Sequence, residues 1–182
     1  QMGFSTPSST MLRFWTMAAH YHGQVWSHAA IAGAMNVGEK SVRRYLDVLS
    51  DLYMLRQLQP WHANLKKRQV KSPKVYFRDT GLLHYLLGVR NEKELWTHPK
   101  CGASWEGYVI EESLRAVQPE EAFFWATHQG AEIDLILEMG ARHGTWAIEI
   151  KRTRAPRIEK GFRIALDDIK PNRAFVVYGG ED

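Results

Sequence analysis

Asp134, Glu149 and Lys151 are the side chains in this sequence best suited to chemistry. They form the pattern Asp, fourteen intervening residues, Glu, any residue, Lys. Two carboxylates supply hard oxygen ligands, and with waters completing the shell that set suits Mg²⁺, which dehydrates reluctantly. Lys151 stands two residues beyond Glu149, so a β-strand sets both on one face. Its ammonium could orient or deprotonate an attacking water, or stabilise charge on a phosphoryl group. Glu106, upstream, offers a third carboxylate, and Glu132 joins Asp134 in an acidic cluster that a cation would relieve. A solvated strand face produces the same spacing. Against that reading stand Ile148 and Ile150, which give the strand a core face, so that the opposite face would bury unpaired charge.

A second set of candidate residues is basic. From Gln1 to Val75 there are ten Lys and Arg against three Asp and Glu, a balance of +7, whereas the whole chain carries +4. Such asymmetry points to an anion-binding half joined to something else. Lys40, Arg43 and Arg44 lie near the start of an amphipathic helix, the end that enters the major groove in a helix-turn-helix. Asp47 and Asp51, further along the same polar face, would repel phosphate. Lys66, Lys67, Arg68, Lys71 and Lys74 fall in a loop where they could track a phosphate backbone without reading sequence. DNA is the partner these residues imply; an ordinary solvated basic surface is the alternative. Trp15, Trp26, Trp61 and Tyr53 read as core rather than as base-stacking residues.

The elements that would position these groups change period midway. Ser9 or Thr10 caps a first helix running to about His22, with Leu12, Trp15 and Ala19 at helical spacing. Val25 and Trp26 make a short strand. Ser27 caps a helix over His28 to Met35, and a third runs from Glu39 to about Leu52. Val42, Tyr45, Leu46, Leu49 and Leu52 form its apolar stripe. Met54 to Leu58 and Val75 to Phe77 read as strands flanking the basic loop, and Thr80, in an Asp79-Thr80-Gly81 turn, caps a helix over Gly81 to Leu87. Gly88 to Gly102 reads as a linker or surface loop. Ser104 then caps a helix to about Val117, followed by strands at Phe123 to Thr127, Ile133 to Leu137 and Trp146 to Lys151. Strict alternation would set Ile133, Leu135 and Leu137 on one face and Glu132, Asp134 and Ile136 on the other. A crossover helix over Ile158 to Ile169 leads to a last strand, Ala174 to Tyr178. The chain is thus α/β (α+β overall): residues 1–88 a winged helix-turn-helix, residues 89–182 an α/β module that stops soon after a strand.

Composition excludes several classes. No run approaches the roughly 18 apolar residues a membrane helix needs, so no membrane partner is expected. Gln1 to Thr10 lacks the apolar core of a signal peptide. The single cysteine, Cys101, forms no intramolecular disulfide and fits a reducing cytoplasm.

Gly130-Ala-Glu-Ile-Asp134 followed by Ala147-Ile-Glu-Ile-Lys151 is similar to the core of the PD-(D/E)XK nuclease superfamily, although no proline precedes Asp134; the resemblance implies a restriction-endonuclease-like fold for residues 89–182. A longer ordered set resembles the domain of unknown function found C-terminal to the P-loop in predicted prokaryotic AAA-type ATPases. It comprises Val42-Arg-Arg-Tyr-Leu46, Leu58-Gln-Pro-Trp61, Asn64, Lys67-Arg68, Lys71-Ser-Pro-Lys-Val-Tyr-Phe77, Asp79-Thr-Gly-Leu-Leu83, Trp105-Glu106 and the two nuclease-like strands. The resemblance runs from about Leu12 onward. It implies an upstream ATPase domain, which would be the part that takes ATP, because no G-x-x-x-x-G-K-[ST] occurs here. Two readings follow. One is a DNA-binding winged helix with a nuclease-like, Mg²⁺-dependent phosphodiesterase site built on Asp134, Glu149, Lys151 and Glu106. The other is a non-catalytic regulatory or protein-interaction module, its basic residues docking the ATPase domain or its nucleotide.

Overall fold

The computed structural model describes residues 6–61 and 70–180. The first helix, α1 (Ser8–His20), begins after Pro7 rather than at a Ser9 or Thr10 cap. Proline has φ preset for a helix start, and the Pro7 carbonyl accepts from the Thr10 and Met11 amides. Phe14, Ala18 and Ala19 form its buried face, while Leu12, expected inside, is 58% exposed. The short strand β1 (Gln24–Val25) leads to α2 (His28–Met35), where the Ser27 hydroxyl accepts from the Ala30 amide at 3.3 Å. Asn36, in the left-handed region at φ 54°, ends that helix. In α3 (Glu39–Asp51), Val42, Tyr45, Leu46 and Leu49 are buried as the stripe requires, and Leu52 beyond the last turn is exposed. The strands β2 (Leu55–Pro60) and β3 (Lys74–Phe77) pair antiparallel, and β1 adds to the far side of β3. Lys66, Lys67 and Arg68 lie outside the described residues, as does Asn64.

Asp79 caps α4 (Thr80–Leu86), accepting from the Leu82 amide at 2.6 Å. The stretch expected to be a linker contains α5 (Glu92–Thr97). Its start is a reciprocal cap: Asn91 accepts from the Glu94 amide at 3.0 Å, and Glu94 reaches back to the Arg90 amide at 2.8 Å. The next helix, α6 (Cys101–Val117), starts three residues before Ser104, which is buried within it and bonds His84 Nε2 at 2.7 Å instead of capping. Then come β4 (Glu121–Ala126), β5 (Glu132–Glu138), the single-turn α7 (Gly140–His143), β6 (Thr145–Lys151), α8 (Lys160–Ile169) and β7 (Arg173–Tyr178).

One seven-stranded mixed sheet in the order β1-β3-β2-β4-β5-β6-β7 runs through both halves. The join is parallel, Gln59 and Pro60 of β2 standing beside Phe123 and Phe124 of β4. The Trp61 amide donates to the Phe124 carbonyl at 2.7 Å and the Val70 amide to Ala126 at 3.0 Å, extending that join. The segments β4, β5 and β6 are antiparallel; β7 lies parallel to β6 after the α8 crossover, as the alternation of elements predicts. Three cores result. One is enclosed by α1 to α4 and one face of the β2–β3 hairpin, through Phe14, Trp26, Leu46 and Phe77. A second lies between α6 and the sheet, through Val109, Ile110, Leu135, Leu137, Ile148 and Ile150. The third lies under α8, through Trp125, Ile133, Ile136, Ala147 and Phe162. Trp26 is core as expected, but Tyr53 is 76% exposed. Among the described residues no helix is long and apolar enough to cross a membrane.

His22 pins α6 to the hairpin. Its Nδ1 accepts from the Phe77 amide and its Nε2 donates to the Ala103 carbonyl, both at 3.0 Å. Gly107 lets α6 come this close, since a Cβ there would sit 2.8 Å from the imidazole. Burial pushes the His22 pKa from 6.5 down to about 4. As pH falls below 6.5 the unfolded chain takes a proton that the native ring refuses until about 4, so stability is lost across that window. At about 1.4 kcal/mol per pH unit, the loss is about 3 kcal/mol by pH 4. Urea titrations should show this acid-side loss in the wild type and not in His22→Gln, whose amide offers one acceptor and one donor without titrating. Parallel pH profiles for the two proteins would contradict the role assigned to the ring.

Candidate functional site

The carboxylates named from the sequence meet where β5 and β6 part. Their ladder runs from Glu138↔Thr145 to Leu135↔Ile148 and there stops. The next position in that register sets Asp134 beside Glu149. Asp134 Oδ2 accepts from the Ile150 amide at 2.8 Å, doing for β6 what a strand carbonyl would do. A β-bulge marks the same place. Phe123 faces Ile136 and Trp125 faces Ile133, so Asp134 and Leu135 together oppose Phe124. The extra residue overturns the strict alternation expected for β5. Ile133 packs with Ile136 under α8, while Leu135 and Leu137 pack under α6.

Two groups of ion pairs flank Asp134. On the α6 side, Lys74 Nζ pairs with Glu106 at 3.2 Å and with Glu132, crossing the Phe124 ring at 5.5 Å from its centroid. Tyr76 donates its hydroxyl to the same Glu106 oxygen. On β6, Ile148 and Ile150 belong to the α6-side core and Ala147 to the α8-side core, so alternation turns Glu149 and Lys151 towards α8. There Lys151 Nζ pairs with Glu149 at 2.7 Å and with Glu159, the residue preceding α8, at 3.3 Å. Among the described residues, five carboxylates (Glu106, Glu132, Asp134, Glu149 and Glu159) thus stand around two ammonium groups.

Asp134 carries the strain of that excess. Burial, then the charges of Glu106 and Glu149, push its pKa from 3.8 up to about 8, against the pull of Lys74 and the Ile150 amide. Burial also raises Glu149, although Lys151 opposes it. Lys74 and Lys151 are both raised: burial works against each cation, and the carboxylates around it outweigh burial. The Tyr76 hydroxyl is held protonated by burial and by Glu106.

Lys74 corrects an expectation. It was placed with the phosphate-facing loop residues, yet it is 6% exposed and its ammonium is held by carboxylates. The β period explains this: in Lys74-Val-Tyr-Phe77, Val75 and Phe77 enter the helical core, so Lys74 and Tyr76 turn to the other side. Lys40, Arg43, Arg44 and Lys71 are exposed. Tyr76 and Glu159 were not anticipated as partners of the cluster. The same alternation could have revealed Tyr76; nothing local marks Glu159.

The donor set fits a hard divalent cation in one respect and not in another. Asp134 and Glu149 offer carboxyl oxygens within an acidic surplus that keeps Asp134 protonated at neutral pH, and a cation would displace that proton while keeping most of its waters. Among the described residues, however, no three His, Cys, Asp or Glu side chains are gathered as a set that could hold a metal. Any cation here would rest on those two side chains and water.

A family model described as Domain of unknown function (DUF8612) matches residues 1–93. Another, described as Domain of unknown function (DUF4143), matches residues 101–182. Two mycobacterial proteins, both titled uncharacterized, are similar over the whole chain: Mb2031c of Mycobacterium bovis and Rv2008c of Mycobacterium tuberculosis. Each is 48% identical over 181 residues, covering 100% of this chain and 41% of the relative. The chain therefore spans well under half the length of the curated relatives it matches. No solved structure matches it.

Proposed function

We propose that this chain, which belongs to the Domain of unknown function (DUF8612) family, is a nucleic-acid-binding module that hydrolyses phosphodiester bonds with a divalent cation. The observation that carries the reading is Asp134, a carboxylate set between Glu106 and Glu149 at the parting of β5 and β6, with Lys151 on the Glu149 side. Asp134 and Glu149 would hold the cation, which would supply a polarised phosphate oxygen and a more acidic water. Lys151, already oriented by Glu149 and Glu159, would stabilise charge on the phosphoryl group, and Glu106 would add negative charge to the cation's surroundings. The order α1, β1, α2, α3, β2, β3, with the β1–β3 pairing, supports a winged helix-turn-helix in the first half. Exposed Lys40, Arg43, Arg44 and Lys71 would then meet DNA phosphates. The arrangement of β4, β5, β6, α8 and β7 behind α6 supports a nuclease-like second half, and the resemblance to AAA-type ATPase C-terminal regions makes an upstream ATPase domain its natural neighbour.

A second reading keeps the residues and removes the reaction. Lys74 and Lys151 already pair with Glu106, Glu132, Glu149 and Glu159. That network favours a non-catalytic regulatory or interaction module of the same ATPase.

Thermal unfolding of Asp134→Asn separates the two. Between pH 3.8 and about 8 the unfolded chain releases a proton that the native Asp134 keeps, so this residue lowers stability as pH rises through that window. In EDTA the variant should melt higher than wild type, by a margin that widens towards pH 8, because the amide still accepts from Ile150 and carries no charge. On the catalytic reading, Mg²⁺ raises the wild-type Tm and leaves the variant unmoved. Mg²⁺ shifting both proteins alike, or neither, would favour the second reading.

A further inference from the structure

A groove of about 900 Å³ opens beyond the end of β6, between α4, α5, α6 and the segment after Lys151. Trp96 of α5, Trp105 and Tyr108 of α6, and Arg152 and Arg154 are among its walls. Trp96 is 56% and Tyr108 47% exposed, unusual for rings of that size on one patch. Trp96 is held in place from both sides: its Nε1 donates to Glu92 at 2.8 Å, and the Arg152 guanidinium lies over the ring at 5.5 Å. The Trp105 and Tyr108 rings lie 6.0 Å apart at a shallow 34°. Trp105 Nε1 is buried with no hydrogen-bond partner among the described residues, a donor left over in the groove wall. Among the described residues no carboxylate pairs with Arg152 or Arg154, and none lines the groove.

We propose that this groove binds single-stranded nucleic acid, its unpaired bases stacking on Trp96 and Tyr108 while Arg152 and Arg154 take the phosphates. The inference rests on the proposed phosphodiesterase reading and gives it a substrate class. Two arginines with no carboxylate partner among the described residues match a polyanion. Flat exposed aromatic rings match bases, and only a single strand presents its bases for stacking, since a duplex keeps them inside. Continuity gives direction: Glu149, Lys151, Arg152 and Arg154 follow one another along a single stretch of chain, so a strand lying in the groove leads its backbone towards Lys151. The volume lies within the roughly 300–1,000 Å³ of ligand clefts, enough for bases rather than for a duplex.

The test is fluorescence anisotropy of a labelled oligothymidylate, alone and as its duplex with oligoadenylate, in EDTA so that no cleavage intervenes. Both rings are about half exposed and neither belongs to a core cluster, so Trp96→Ala with Tyr108→Ala should fold, and circular dichroism checks that it does. The double variant should bind the single strand at least about 10-fold more weakly, in line with about 1–3 kcal/mol per stacked base. It should bind the duplex within about 2-fold of wild type, because the basic surface of the first half is untouched. Trp96→Phe, which keeps a ring, should recover most of the loss. Equal losses on both probes, or no loss on the single strand, would overturn the groove assignment. Absence of Mg²⁺-dependent cleavage in wild type, with the single-strand loss intact, would instead remove the catalytic reading and leave the groove.

Discussion

Lys151→Ala should lower nucleic-acid cleavage by about 10²–10³-fold, the order seen when one preorganised donor to a developing negative charge is removed, while Mg²⁺ still raises the Tm. The two effects separate because the proposed cation ligands and the ammonium are different groups. Asp134 and Glu149 would hold the metal, whereas Lys151 Nζ sits 2.7 Å from Glu149 and 3.3 Å from Glu159, fixed before substrate arrives. Lys151→Arg, which keeps the charge but needs more room beside two carboxylates, should retain part of the rate. Single-turnover cleavage measured beside the Mg²⁺-dependent melt reads both quantities. A rate unchanged in Lys151→Ala would remove this residue from the chemistry, and loss of the Mg²⁺ response would recast it as a structural counter-ion.

Lys74→Met should cost about 3–5 kcal/mol of stability, the usual penalty for removing one partner of a buried ion pair. The ammonium is the main positive charge on the α6 side of Asp134, and without it Glu106, Glu132 and Asp134 face one another with only the Tyr76 hydroxyl between. Because the surrounding carboxylates raise the Lys74 pKa above its ordinary value, its stabilisation is complete below about pH 10 and fades only as pH rises through the shifted value. The penalty should therefore be level from about pH 6 to 7 and grow only as Asp134 ionises at about 8. Urea unfolding at two neutral pH values measures it. A surface lysine contacting DNA would change stability by no more than about 0.5 kcal/mol, and a result of that size would return Lys74 to the basic loop where sequence placed it.

Much of this architecture was legible in the residues because local physics and tertiary packing agree there. Ser27 caps the helix it was expected to cap, Asp79 rather than its neighbour Thr80 caps α4, and the stripe Val42, Tyr45, Leu46, Leu49 is buried. Helix α5 was hidden because Gly88 to Gly102 is mostly polar and its few apolar residues, Val89, Leu95, Trp96 and Cys101, form no helical stripe, although Asn91-x-x-Glu94 carried the capping signal. The bulge at Asp134 was not legible, since no glycine or proline announces it and the apolar run reads the same with or without the extra residue. It changes the site nonetheless: it ends the β5–β6 ladder and lets the Asp134 carboxylate, rather than a backbone carbonyl, meet the Ile150 amide. The partners of Lys74 were out of reach for a different reason. Glu106 and Glu132 come from a helix and a strand distant in sequence, and only the order of strands in the sheet brings them together.

The same geography explains why the acidic cluster and the basic residues occupy different places. The exposed cations proposed to meet nucleic acid lie on α3, at Lys71 and beyond the end of β6, whereas Lys74 and Lys151 are drawn inward by carboxylates. A nucleic acid held by the outer cations would bring its backbone to a site whose net charge is negative, an arrangement that calls for a cation between them.

The most direct measurement is cleavage of end-labelled single-stranded DNA, duplex DNA and RNA by the wild-type chain over hours, in Mg²⁺ and in EDTA, with Asp134→Asn beside it. The account predicts products from at least one substrate in Mg²⁺, none in EDTA and none from the variant. Intact substrate in every lane, from a folded protein whose Tm is indifferent to Mg²⁺, would contradict it.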